Sequence, residues 1–241
     1  MKTSTIFAVD ESQRKAAKVA GGMYLFTMVT ANFAEFYVRR QLIVPGDALL
    51  TAQHIAASAQ LFRLGIVSDM ATLVCDVILV AALYVILKPI NRNLALLAAF
   101  WRLVECSIAA AIVVNELAAL RFLGGASSLP TLNTEQLQLL ARLFISMDIA
   151  GSRTGALLFG LGSTLFCYLW FKSRYIPRWM AGWGIFSSLV PIVIPLTTVV
   201  FSGLADLPLR RARTGIPIII FEIIAGLWLL VKQIPTASDV I

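Results

Sequence analysis

The sequence predicts an all-α protein: a polytopic membrane helix bundle with six transmembrane helices and both termini in the cytoplasm. Three observations predict it. Of the 241 residues, 59% are hydrophobic and only 14% are charged, whereas a soluble domain carries about 25% charged residues. The mean hydropathy is +0.85, so more apolar side chain is present than a soluble core of this length can hide, and lipid is the solvent. The apolar residues also fall into six runs, each near the ~20 residues that cross a bilayer as a helix.

Those runs are 16–38, 62–87, 94–120, 151–171, 179–201 and 215–231. Ahead of them the tail MKTSTIFAVDESQRKAAK has no long apolar stretch before its charged part, 10–18. It reads as a short cytoplasmic tail, not a cleaved signal peptide. The second and third runs are joined by KPINRN (88–93), a tight turn stopped by Pro89, and the fourth and fifth by KSRYIPR (172–178). Links this short make sequential helices antiparallel neighbours.

Two longer links lie on the other side. Residues 39–61 hold a Pro45-Gly46 turn and then a short helix capped by Asp47. Residues 122–150 hold GGASSLP and then a helix that starts near Asn133 or Thr134, with Glu135 in its first turn. That helix either lies in the interface or extends the fourth run. Pro191 and Pro195 predict a kink in the fifth run. No internal repeat or low-complexity segment interrupts the chain, so 1–241 reads as a single integral membrane domain.

Basic residues orient the bundle. With the N-terminus inside, ten fall on the cytoplasmic side: Lys2, Arg14, Lys15, Lys18, Lys88, Arg92, Lys172, Arg174, Arg178 and Lys232. Eight fall outside: Arg39, Arg40, Arg63, Arg121, Arg142, Arg210, Arg211 and Arg213. The margin is small, but all six lysines are in the first group. Trp170, Tyr175, Trp179 and Trp183 gather round the fourth-to-fifth turn, as an aromatic belt at headgroup level does.

The net charge of +7 is concentrated in the short segments between the runs, which suits anionic headgroups. No soluble basic module is present, so nucleic acid is excluded as a partner. Cys75, Cys106 and Cys167 lie inside apolar runs and read as small hydrophobes. With His54 the sole histidine, no metal site and no cofactor are expected. Phosphate-loop, nucleophile-elbow, zinc-protease and dinucleotide motifs are missing. Gly151, Gly155, Gly160 and Gly162 give the fourth run small residues for close packing. Ser152 and Ser163 lack a histidine partner suited to hydrolysis, because His54 is in a link.

Ionisable residues inside spans are costly, about 2.5–3.5 kcal/mol each, so they turn inward and pair. If the 88–93 turn is centred between Ile90 and Asn91, residues whose numbers sum to 181 lie at one depth. Asp76 is then level with Glu105, and Arg102 lies one turn deeper on the face of Glu105. Glu222 is ten residues from Lys232, about 15 Å along a helix, and so is also near the midplane. Asp76, Arg102, Glu105 and Glu222 form a buried polar core of three acids and one base. It is either a satisfied network that holds the bundle together, or a surplus carboxylate that holds a proton and can carry it or bind a cation.

A second group faces the outer surface: Glu35, Arg63, Asp69, Glu116, Asp148 and Arg153, with Asn32 and His54 nearby. Asp69 shares one face of its helix with Asp76, seven residues on. The group is either ordinary pairing at helix ends or an outward-facing pocket in which Arg63 or Arg153 holds an anionic headgroup or carboxylate.

The stretch LFRLGIVSDMATLVCDVILVAALYVILKPINRNLALLAAFWRLVE (61–105) closely resembles the bacterial membrane-protein family known as domain of unknown function 4386. Residues 14–47 and 155–184 follow its pattern as well. The resemblance implies a multi-pass membrane protein of the bacterial inner membrane with no assigned activity. It draws attention to Arg63, Asp69, Asp76, Lys88, Asn91 and Arg102 without giving them a role.

Three functions stay open: handling of a small molecule, lipid, proton or cation through the buried core; an intramembrane enzyme acting on a lipid or isoprenoid with Glu35, Asp69, Asp148 and Arg63; and a non-catalytic scaffold or regulatory subunit. Whether the chain is an enzyme is not legible. Membrane lipids are the expected partners, with a second copy or another membrane protein left open.

Overall fold

The computed structural model describes residues 10–44, 47–123, 134–201 and 215–232. Every regular element among them is helical. α1 (Glu11–Asn32) opens with a reciprocal cap, in which the Gln13 backbone N–H donates to Asp10 Oδ1 at 2.7 Å and the Asp10 N–H to Gln13 Oε1 at 3.0 Å. The helical path continues through a π-helical segment, Phe33–Arg39, and one α turn, Arg40–Leu42. α2 spans Ala48–Ala57, and Asp47 caps it by accepting from the Leu50 N–H at 2.9 Å.

α3 (Ala59–Leu87) and α4 (Arg92–Leu123) follow. Asn91 caps α4 by accepting from the Leu94 N–H at 3.0 Å. α5 (Thr134–Ser173) is one 40-residue helix, so the segment from Thr134 extends the fourth run instead of standing apart from it. α6 (Arg178–Val200) runs unbroken through Pro191 and Pro195, and α7 covers Ile216–Val231. The Pro45-Gly46 turn, GGASSLP, Lys2, Arg210, Arg211 and Arg213 lie outside the described residues.

Among the described residues, four helices are long and apolar enough to cross a bilayer: α3, α4, residues Arg142–Ser173 of α5, and α6. α7 is apolar but has 16 residues, about 24 Å at 1.5 Å per residue against a hydrocarbon core of about 30 Å. Large apolar side chains point outward along the helices, among them Val67 at 61%, Val114 at 63% and Val199 at 75% exposure. A soluble monomer rarely displays so much contiguous apolar surface, and the protein is membrane-embedded.

The chain divides into two compact units. Unit one comprises Met1–Met28, Cys75–Cys106 and Gly155–Ile241. Its core gathers Tyr24, Ile86, Leu87, Trp170, Met180 and Phe221. Small residues bring its helices close: a Cβ on Gly21 would lie 2.8 Å from the Gly226 carbonyl oxygen, and one on Gly184 would lie 2.6 Å from the Phe221 ring. Trp183 Nε1 donates to the Pro217 carbonyl at 3.0 Å and ties α6 to α7.

Unit two comprises Val29–Val74 and Ser107–Thr154. Val38, Leu42, Ile55, Phe62, Ile66 and Val113 build its core. A polar seam runs beside them, where Ser68 Oγ donates to the Thr30 carbonyl at 2.9 Å and Thr72 Oγ1 to Thr30 Oγ1 at 2.7 Å.

Candidate functional site

In unit one the site is built around Arg102. The KPINRN turn sets α3 and α4 side by side, which brings Asp76 and Arg102 into reach. Arg102 Nη2 donates to Asp76 Oδ1 at 3.3 Å, and Nη1 lies 3.0 Å from Glu105 Oε2, one helical turn on. Arg102 is only 4% exposed. Its guanidinium stacks over the Phe159 ring at 4.3 Å to the centroid. Gly162 makes room for the stem: a Cβ there would fall 2.7 Å from Arg102 Cγ and 3.0 Å from the Ala98 carbonyl oxygen.

Glu222 reaches the same place from α7. It is buried, at 8% exposure, and feels the charges of Arg102, Asp76 and Glu105. Among the described residues its carboxyl group has no hydrogen bond or ion pair within reach. Instead it borders a cavity of about 10 Å³ whose polar lining is Tyr24, Arg102, Ser163, Cys167 and Glu222. That is room for about one water molecule.

Asp76, Glu105 and Cys106 also offer ligand atoms within 4.8 Å of one another. Cys106 Sγ already donates to Glu105 Oε2 at 3.8 Å. Arg102 bridges the two carboxylates, and a divalent ion placed there would meet its full positive charge. The donor set does not suit a divalent metal.

Unit two repeats the motif with a different arginine. Arg39, the last residue of the π-helical segment, donates to Asp69 Oδ2 and, at 2.8 Å, to Glu116 Oε1. Glu35 lies 3.9 Å away, one turn back. Glu116 is 5% exposed and its Oε2 is unpartnered. Asp148 lies against Asn115, with Glu116 and Arg39 close enough to act on its charge.

The structure thus gathers Asp76, Arg102, Glu105 and Glu222 round one point, and Glu35, Asp69 and Glu116 round another. Arg63 and Arg153 are exposed and make no ion pair among the described residues. The base that meets the outer acids is Arg39, which the sequence reading left at a helix end. The Glu35–Arg39 spacing of four was the available signal. Tyr24, Cys106 and Cys167 were also missed as neighbours of the inner cluster, because nothing in an apolar run marks which thiol or phenol faces a charge.

The chain matches the family described as "Domain of unknown function (DUF4386)" over residues 19–232. The chain belongs to this family. The match extends through α7, so it includes Glu222 as well as the α3–α4 hairpin. An "Uncharacterized protein" of Archaeoglobus fulgidus is 26% identical over 169 residues, covering 69% of this chain and 82% of the relative. No solved structure matches.

Proposed function

We propose that this DUF4386 protein crosses the inner (plasma) membrane six times with both ends in the cytoplasm, and that its Asp76–Arg102–Glu105–Glu222 core handles a proton or a small inorganic cation. The lysine asymmetry supports the orientation. α1 with its π-helical continuation supplies one further crossing, and α7 the other. The short α7 ends at Lys232, a side chain long enough to reach the headgroups while the bilayer thins or the helix adjusts.

One observation carries the functional reading: Glu222 is buried, without a protein partner, at a cavity it shares with Arg102. Three carboxyl groups face one guanidinium. In a low-dielectric interior the surplus negative charge has to be offset by protons or by a cation. A volume of about 10 Å³ admits a water or a bare monovalent ion, and excludes a lipid or an organic solute. This favours the proton or cation among the cargoes that the sequence left open.

Reconstituted liposomes with a pH-sensitive dye inside test it. A potassium diffusion potential should acidify vesicles holding the wild-type protein, and the run repeated with a sodium gradient separates proton from sodium. Glu222→Gln keeps the shape of the side chain and removes the ionisable group. It should cut the flux about a hundredfold or more, the low end of what losing a positioned proton-transfer group costs, while the protein still elutes as a single species. A wild-type rate equal to that of protein-free vesicles, or a Glu222→Gln rate equal to wild type, overturns the reading.

A further inference from the structure

A second opening in unit one lies where α5 passes into α6. It has a volume of about 460 Å³ and is lined by Arg174, Tyr175, Ile176, Pro177, Arg178, Trp228 and Lys232. This is within the ~300–1,000 Å³ range of small-molecule sites. Its charge is of one sign. Arg174, Arg178 and Lys232 contribute three cations, and none of them pairs with a carboxylate among the described residues.

The cations are held by the scaffold. Arg178 stacks over the Phe171 ring at 5.4 Å, and Lys232 Nζ over the Trp228 ring at 4.6 Å. Arg174 has a φ of 60°, the left-handed conformation that costs a side-chain-bearing residue and persists where surrounding structure enforces it. Tyr175 and Ile176, both nearly fully buried, pin the turn that carries it.

The backbone adds to the field. The 23-residue α6 begins at this opening, with Pro177 as N-cap and no side-chain cap. Its first backbone bond is from the Ala181 N–H to the Pro177 carbonyl, at 3.1 Å. The amides of Arg178, Trp179 and Met180 come before that bond, at the positive end of the helix dipole. Three cations and an uncapped helix N-terminus on one cavity make an anion site. Trp179 at 66% and Trp183 at 40% exposure stand beside it, the aromatic signature of headgroup depth.

The geometry points to a binding site for a phosphate-bearing anion, formed by Arg174, Arg178, Lys232 and the N-terminus of α6. The phosphodiester of an anionic phospholipid and a free phosphate ester share the chemistry that this site reads. The site is separate from the Glu222 cavity and does not depend on the proposed flux.

Native mass spectrometry on the whole protein in a neutral detergent tests the assignment, with phosphatidylglycerol, phosphatidylcholine or glycerol 3-phosphate added. Phosphatidylglycerol should be retained in preference to phosphatidylcholine. Replacing all three cations (Arg174→Gln, Arg178→Gln and Lys232→Gln) should weaken retention about a hundredfold, at one basic residue's contribution each. The same charge removed from unit two (Arg63→Gln, Arg121→Gln and Arg153→Gln) should leave it unchanged.

Retention of phosphatidylglycerol without glycerol 3-phosphate identifies a lipid headgroup, and retention of both identifies the phosphate group itself. Equal retention of phosphatidylcholine, no retention of either phosphate compound, or retention that survives loss of the three cations overturns the assignment. If the triple variant does not fold, Lys232→Gln alone, at the very end of α7, decides between the same outcomes.

Discussion

In unit one a 4%-exposed Arg102 meets Asp76 and Glu105. In unit two Arg39, with 24% of its side chain exposed, meets Asp69 and Glu116. The parts are the same, a guanidinium between two carboxylates on neighbouring helices, but the settings differ. Arg102 projects from the interior of a regular helix, with Phe159 over its face and Gly162 under its stem. Arg39 ends a π-helical segment, and part of it is open to solvent. Each cluster also has a third acid, but Glu35 is 59% exposed and lies 3.9 Å from Arg39, whereas Glu222 is buried and Arg102 does not directly bind it. The difference separates two uses of buried charge. A guanidinium matched by two close acids can be a structural tie. One that leaves a buried carboxyl group over, beside a space the size of a water, has capacity for a mobile charge.

The largest effect expected from this contrast is in Arg102→Ala. Removing one partner from a buried ion pair leaves uncompensated charge and costs about 3–5 kcal/mol. The variant should therefore fail to give a monodisperse species in detergent, or should melt far below wild type. Arg39→Ala should cost less, about 1–3 kcal/mol, because Arg39 itself keeps 24% of its side chain exposed against 4% for Arg102, so its ion pairs are less fully desolvated. A thermal melt of the two variants in one detergent gives the ranking directly. Equal losses would mean that burial does not govern the two clusters, and the contrast between them would fail.

Part of this was legible in the sequence. The α3–α4 hairpin could be read because KPINRN fixes its register, so that a sum of residue numbers locates Asp76 opposite Glu105 and three-residue spacing locates Arg102. Asp47 announced its helix as a cap, whereas the Asn91 cap of α4 came only with the structure. The full length of α5 was harder to read. Glu135, Gln136, Gln138, Arg142 and Asp148 make its first turns polar, so the sequence leaves an interfacial helix as open as an extension, and the structure shows one helix from Thr134. Arg39 was the least legible. The i→i+5 bonding of Phe33–Arg39 winds more residues into each turn than an α-helix does, so everything after it is rotated from the 3.6-residue register on which face assignments rest. The hairpin arithmetic instead offers the outer acids Arg63, whose number and that of Glu116 sum to 179, which puts the two within a turn of each other.

That substitution of one arginine for another gives the smallest effect and the sharpest control. Arg63 and Arg153 have no ion-pair partner among the described residues and are exposed. Arg63→Gln and Arg153→Gln should each change stability by less than about 0.5 kcal/mol, as surface replacements away from caps and cores do. The two should also be additive, since no shared partner couples them. Measured beside Arg39→Ala, they ask whether the outer acids depend on the arginine that touches them or on the general positive field of that end of the unit. A loss in Arg63→Gln as large as in Arg39→Ala would assign the outer acids to a diffuse field. The resemblance between the two clusters would then be one of composition and not of mechanism, because a guanidinium acts on a buried carboxylate chiefly through the hydrogen bonds that it donates at contact.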